Sequence, residues 1–369
     1  MSWILEFDRS IGCVINLIEY ALLIGINYYA WLNPRFVNNT KIRWSCFLLL
    51  IICLTPFYCG DFFHYFEWYE KTLKFPLGEE GVNNMELVYN YLIHNTYKSY
   101  ILFRLVIWGV SIYMLLRIPG VLGINKNLFL YVYMSSAIVV FCYGRVSLAI
   151  TMMFLGLAVL LHGNKLLGLL LIIISFYFHK SALFGILMIC IAILLGKISK
   201  ARLTFGLLSI PLIIILIKIS IAHFLIVDAD SNTTLNVSMG QRYLSEDSTF
   251  NGFGINISYW LNYFLSFMWI LMFIKCTIKG YYFNWPKHIR IFANTSFLIT
   301  IVSTLMLLAS TRILQVRFIE FAFIPSAIML CYCKIKGILP QFTQYVYNAG
   351  LAFGAYTIIY ITYCEFVKS

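Results

Sequence analysis

Arg145 opens one long apolar run and His179-Lys180 closes the next, in YGRVSLAITMMFLGLAVLLHGNKLLGLLLIIISFYFHKSA, residues 143–182. The short polar turn His162 to Lys165 joins the two runs. At ~1.5 Å per residue each run rises most of the way through a bilayer. The turn therefore returns the chain to the face it left, placing Arg145 and His179 near one membrane surface. A cation and a titratable ring at matched depth suit an anionic, membrane-bound substrate. Guanidinium is a planar fork that grips two phosphate oxygens, which an ammonium does not do. Imidazole titrates near neutral pH and serves as general base or as phosphate ligand. Blander roles stand beside both readings: an arginine snorkelling to headgroups and an ordinary interfacial histidine.

Two more arginines, Arg312 and Arg317, flank the start of a later apolar run in LASTRILQVRFIEFAFIPSA. Five helical residues apart is ~140° of rotation, so the pair does not share a face. Glu320 stands three residues beyond Arg317, where a structural ion pair is an alternative to a substrate contact. An arginine one turn inside the membrane is costly unless it has a partner or a wet cavity. Among carboxylates, Asp61 and Glu86 are those with apolar or aromatic surroundings. Glu19 lies mid-span with no partner that the sequence names, and Lys218 is near enough to a span end to snorkel. The aromatics Phe62, Phe63, Tyr65, Phe66, Trp68 and Tyr69 read as an interfacial belt or as platforms for sugar rings.

The elements that must position these residues follow from composition. The chain has 369 residues, 61% of them hydrophobic and 11% charged, with a mean hydropathy of +0.84. This is an all-α polytopic membrane protein, because one apolar run after another is long enough to span. A transmembrane barrel would alternate polar and apolar residues instead. About twelve spans are expected, near 11–32, 42–58, 99–117, 127–144, 146–162, 165–178, 182–196, 203–223, 256–274, 291–310, 313–333 and 342–363, as one transmembrane domain over 1–369.

The net charge of +12 does not indicate nucleic acid, because the cations cluster in short turns as orientation signals do. Alternate turns, from Arg35 and Lys41 through Lys126, Lys165, Arg202 and Lys279 to Lys336, hold no Asp or Glu. By the positive-inside rule that face is cytoplasmic and both termini face outward. Glu6 and Asp8 replace the basic n-region of a removable signal peptide. The ten cysteines fall singly, without CxxC or metal spacing, and read as small apolar residues. Two outward loops are large. Residues 59–98 are aromatic and acidic, broken by Pro76-Leu77-Gly78. Residues 225–256, polar around Gln241-Arg242-Tyr243, read as a mobile lid or docking loop.

Taken in order, these residues resemble the EpsG family of bacterial polysaccharide polymerases, within the wider Wzy class. The likeness rests on four segments: Gly60-Asp61 followed by Tyr65; Glu86 before the third span; Arg145 with Ala149 and then Phe178-His179-Lys180-Ser181-Ala182; and Arg312 with Arg317 before Pro325. The first loop reads Cys59-Gly60-Asp61-Phe62 where Gly-Thr-Asp is the more typical pattern. The resemblance implies a glycosyltransferase at the outer face of the bacterial inner membrane, making O-antigen or another surface polysaccharide. It would move a glycan from one undecaprenyl diphosphate carrier onto another lipid-linked repeat unit, with no nucleotide sugar, metal or other cofactor. Arg145, Arg312 and Arg317 would hold the diphosphate, with Arg242, Lys180 and Tyr65 as further substrate contacts. His179, Asp61 or Glu86 would be the base. Implied partners are the lipid-linked oligosaccharide, membrane lipid and a chain-length-regulating membrane protein. The rival readings are a flippase for the same lipid-linked unit and an O-antigen ligase. A transporter usually shows paired halves or broken helices, and the sequence has neither.

Overall fold

A computed structural model of the chain describes residues 9–34, 39–54, 69–70, 87–95, 99–142, 144–179, 181–196, 253–308 and 318–368. Among these residues every regular element is helical, which is how an apolar segment satisfies its own backbone in hydrocarbon. The helices are α1 (Arg9–Leu32), α2 (Asn39–Leu54), the short α3 (Leu87–Asn95), α4 (Tyr100–Val121), α5 (Lys126–Cys142), α6 (Gly144–Leu161), α7 (Lys165–Phe178) and α8 (Ala182–Leu195). After residues outside the description come α9 (Phe253–Ile278), α10 (Lys287–Leu308), α11 (Phe323–Ile335) and α12 (Pro340–Lys368). Each expected span meets one of these helices except 203–223, which lies outside the described residues. Of the expected span 313–333, residues 313–317 lie outside the described residues; Phe318 and Ile319 are helical, a 3-10 turn follows at Glu320–Ala322, and Pro325 stands in the first turn of α11, where a missing N–H is tolerated.

By length and composition Tyr100–Val121, Trp260–Ile278 and Lys287–Leu305 are able to cross a membrane, and Val146–Leu161, Lys165–Phe178 and Ala182–Leu195 are shorter apolar helices. The surface is apolar: Leu166, Leu183, Leu194 and Trp260 are among the exposed side chains. The interior is apolar too, and it also holds hydroxyls. Thr151 donates to Ser147 O at 2.7 Å, Thr300 to Ser296 O at 2.6 Å, and Ser296 pairs with Ser326 at 2.6 Å. Apolar side chains on both the inside and the outside, with small hydroxyl residues between the helices, is the arrangement that suits packing in lipid.

The centre is α5. Leu128 through Met134 are all buried, and α1, α2, α4, α6, α11 and α12 surround it. A helix apolar on every side belongs in such a position. At one end of the bundle lie the turns bearing Lys126, Lys165, Lys279 and Lys336. Tyr282, in the turn after α9, donates to Asn294 Oδ1 at 2.7 Å, and Asn294 Nδ2 donates to Ala192 O at 3.2 Å. Burial pushes the Tyr282 hydroxyl's pKa up, keeping it a donor. The ends of α8, α9 and α10 are thus pinned together at this basic end.

Candidate functional site

The hairpin of α6 and α7 is built at its base by Gly163 and Asn164. Gly163 takes φ +116°, a conformation that costs glycine little. Asn164 Oδ1 accepts from Leu167 N–H at 3.2 Å, capping α7. Just above, the two helices cross on glycines. A Cβ on Gly156 would lie 2.8 Å from Gly168 O, and one on Gly168 would lie 2.6 Å from Leu160 Cβ. Such closeness fixes the relative height of the arms. Arg145 stands ~24 Å up α6 from Leu161, and His179 stands ~21 Å up from Lys165, at ~1.5 Å per residue. The hairpin therefore brings both residues to the end opposite the basic turns, within one helical turn in height.

His179 is held by its main chain and its ring. Its backbone is extended, at φ −156° and ψ 123°, and its N–H donates to Ser175 O, ending α7. Its carbonyl accepts from Ala182 N–H at 3.0 Å, closing a tight turn. The ring Nδ1 accepts from Ser181 N–H at 3.2 Å and also pairs with Ser181 Oγ. A backbone N–H only donates, so Nδ1 presents its lone pair, and the neutral ring carries its proton on Nε2. The half-buried ring is arranged as an Nε2–H donor.

Other segments converge on the same end. Phe184, early in α8, stacks on Phe318 with centroids 3.9 Å apart, and Phe318 directly follows Arg317. A Cβ on Gly185 would lie 2.7 Å from the Met153 side chain of α6 and 2.8 Å from Phe321. Neighbouring Glu320 is 3% exposed. Thus α6, α8 and the approach to α11 meet closely. From the first large loop, α3 packs on α7 and α4, with Ile93 buried. His94 Nε2, on the same helix, is buried without a hydrogen bond among the described residues. Tyr69 is also buried, its ring 5.1 Å from Tyr100 and 5.3 Å from Phe103.

A buried arginine lies beneath. Arg104, 4% exposed on α4, has its guanidinium 4.3 Å from the Trp108 ring centroid and donates from Nη1 to Tyr100 OH at 3.1 Å. Trp108 Nε1 in turn donates to Phe141 O at 2.9 Å, at the end of α5.

Of the candidates read from sequence, Arg145 is the second residue of α6 and His179 follows α7. Asp61, Tyr65, Glu86, Lys180, Arg242, Arg312 and Arg317 lie outside the described residues. The sequence reading passed over Arg104 and His94. A signal existed for Arg104, since an arginine inside an apolar span is uncommon and marks function or a buried pairing. Glu19, picked out as a mid-span carboxylate, has Oε2 buried without a hydrogen bond among the described residues. Among the described residues no group of three His, Cys, Asp or Glu is placed to hold a metal ion.

The matching family model is that of the EpsG family, over residues 41–367. No curated protein and no solved structure matches the chain.

Proposed function

From the premise that the chain belongs to the EpsG family, a family of polysaccharide polymerase-like membrane proteins, we propose that it is a surface-polysaccharide polymerase of the O-antigen type. It works at the outer face of the bacterial inner membrane, with both termini periplasmic. The donor is a glycan on undecaprenyl diphosphate, and the acceptor is the terminal sugar of another lipid-linked repeat unit. The observation that carries this reading is the α6–α7 hairpin, which sets Arg145 and His179 at one height and at one end of the bundle.

In the reaction an acceptor hydroxyl attacks the donor's anomeric carbon. The new glycosidic bond forms as the bond to the diphosphate oxygen breaks, and the hydroxyl proton goes to a base. Arg145, with Arg317 and Arg312, neutralises the charge that grows on the departing diphosphate; charge that develops only in the transition state is what a fixed donor stabilises best. The Nε2–H of His179 suits the same task, so of its two readings we take the ligand. Asp61 or Glu86 then receives the proton, while Tyr65, Arg242 and Lys180 contact glycan or diphosphate. A chain-length-regulating membrane protein is the expected partner.

The test is a deletion strain analysed by gel for surface glycan. A polymerase leaves single repeat units on the acceptor and removes the long-chain ladder. Loss of every form, single units included, would point to a flippase or ligase and end this reading.

A further inference from the structure

Among the described residues α1 packs chiefly on α5 and α12, and α2 packs chiefly on α4. The two helices therefore part, and the cleft between them holds a cavity of about 650 Å³. Gly25 and Tyr29 line it from α1, Phe47 and Ile51 from α2, and Tyr131 of α5 closes the back. Ser45 and Tyr131 pair their hydroxyls with each other at 2.9 Å. That bond sets the first turns of α2 beside the first turns of α5, so Lys41, one turn from Ser45, stands at the end that carries Lys126. Below the mouth a water would lack the two to four polar partners it needs, and the cavity suits hydrocarbon.

The mouth has the opposite character. Lys41 lines it, and Trp44, 68% exposed, stands one turn in, where a lipid-facing indole marks the headgroup level. Residues 33–45 hold Arg35, Lys41 and Arg43 and no Asp or Glu. From Lys41 to Ile51 is ~15 Å of helix, half of a ~30 Å hydrocarbon layer. The cavity thus has the depth of one leaflet, with apolar walls and an interfacial cation at its opening. Basic pockets between membrane helices are where anionic headgroups bind.

We propose that the α1–α2 cleft binds one anionic glycerophospholipid of the leaflet at the basic end, with an acyl chain along Gly25 and Phe47 and its phosphate at the Lys41 ammonium. An acyl chain matches the one-leaflet depth, and an undecaprenyl chain far exceeds it. The lipid fills the gap between α1 and α2 and ties them together. This holds whether or not the chain is a polymerase.

The experiment is native mass spectrometry of the full-length protein released from detergent, titrated with phosphatidylglycerol, phosphatidylcholine or undecaprenyl phosphate. The native chain is expected to hold one phosphatidylglycerol about fivefold more tightly than phosphatidylcholine, the contribution of one basic side chain at an anionic lipid. Lys41→Gln removes that preference. Gly25→Leu obstructs the cleft: a Cβ there meets nothing within 4 Å, so the leucine grows into the cavity without displacing protein, and it favours helix over glycine. Affinity for both phospholipids should fall at least about tenfold, because the buried methylenes are lost. Gly109→Leu, at a glycine equally open and outside the cavity, should bind as native. Equal native affinity for the two phospholipids overturns the proposal. So does a preference retained in Lys41→Gln, native binding in Gly25→Leu, or an equal loss in Gly109→Leu. Tighter binding of undecaprenyl phosphate would overturn it by giving the cleft to the carrier, and a dimer that Gly25→Leu disperses would do so by giving it to a second copy of the chain.

Discussion

The clearest perturbation is at the glycine crossing of the hairpin. In Gly168→Ala the new Cβ falls 2.6 Å from Leu160 Cβ and 2.7 Å from Leu160 N and Cα. Comfortable carbon contacts are ~3.5–4.0 Å, so α6 and α7 must separate by roughly 1 Å. The obstruction is backbone, which does not rotate away, and packed interiors yield little. Overpacking of this kind costs about 1–3 kcal/mol. The effect at the site depends on how the arms part. If they separate in parallel, His179 moves ~1 Å relative to Arg145. If they hinge at the turn, Gly168 is ~4.5 Å above Lys165 and His179 ~21 Å above it, so the shift grows to ~4–5 Å. A misplacement of ~1 Å already costs about a hundredfold in rate. We therefore expect Gly168→Ala to insert and melt near native, while single-turnover transfer from a lipid-linked donor drops by at least about a hundredfold. The control is Gly109→Ala on α4, where a Cβ meets nothing within 4 Å; it should be neutral or slightly stabilising. Native transfer in Gly168→Ala would refute the claim that hairpin geometry aligns the two residues.

Three further outcomes are expected. Arg145→Ala and Arg317→Ala abolish polymerisation, and lysine at either position restores little, because it keeps the charge and loses the fork. A fully active, well-inserted Arg317→Lys would return that residue to a structural pair with Glu320. His179→Gln, whose amide offers a donor where Nε2–H stood, keeps most transfer with an unshifted profile from pH 5 to 9. His179→Ala loses roughly 10- to 100-fold in the same assay, as for a hydrogen bond to a charged group; a Gln variant as poor as Ala would restore His179 as the base. Reporter fusions at Lys279 and Arg202 report cytoplasm, and fusions at Ser231 and after Ser369 report the outer side. A cytoplasmic signal at Ser231 would re-side Arg145 and His179 together.

Hydropathy made the spans legible because each is a continuous apolar run, and the 162–165 turn made the hairpin legible because two cations bound two long runs. The same averaging hid Arg104: one guanidinium barely moves the mean over α4, and its partners come from α4 itself and, through Trp108, from α5. Tyr69 reads as one more member of an interfacial belt, yet it is 2% exposed against Tyr100 and Phe103. Packing between a loop and a span has no periodicity to announce it. The 3-10 turn at Glu320–Ala322 is hidden for a similar reason, since neither Gly nor Pro stands within it to mark a change of helix type. The tautomer of His179 depended on a tight turn returning Ser181 to its own ring, which residue types alone do not specify.

Neighbouring α7 and α8 have 14 residues each, or ~21 Å of helix, against a hydrocarbon layer of ~30 Å. Both present leucines to lipid, with Leu166 and Leu183 well exposed. The bilayer along this flank must pinch by up to ~9 Å or leave polar turns in oil, at a cost of a fraction of a kcal/mol for each ångström of mismatch. Pinching draws the headgroup plane down to the turn that holds His179. On the function proposed above, a carrier diphosphate travelling in that plane would arrive level with the site without being lifted from its leaflet. Lipids with short acyl chains relieve the mismatch and long ones aggravate it, so membrane thickness becomes a dial on the rate of transfer.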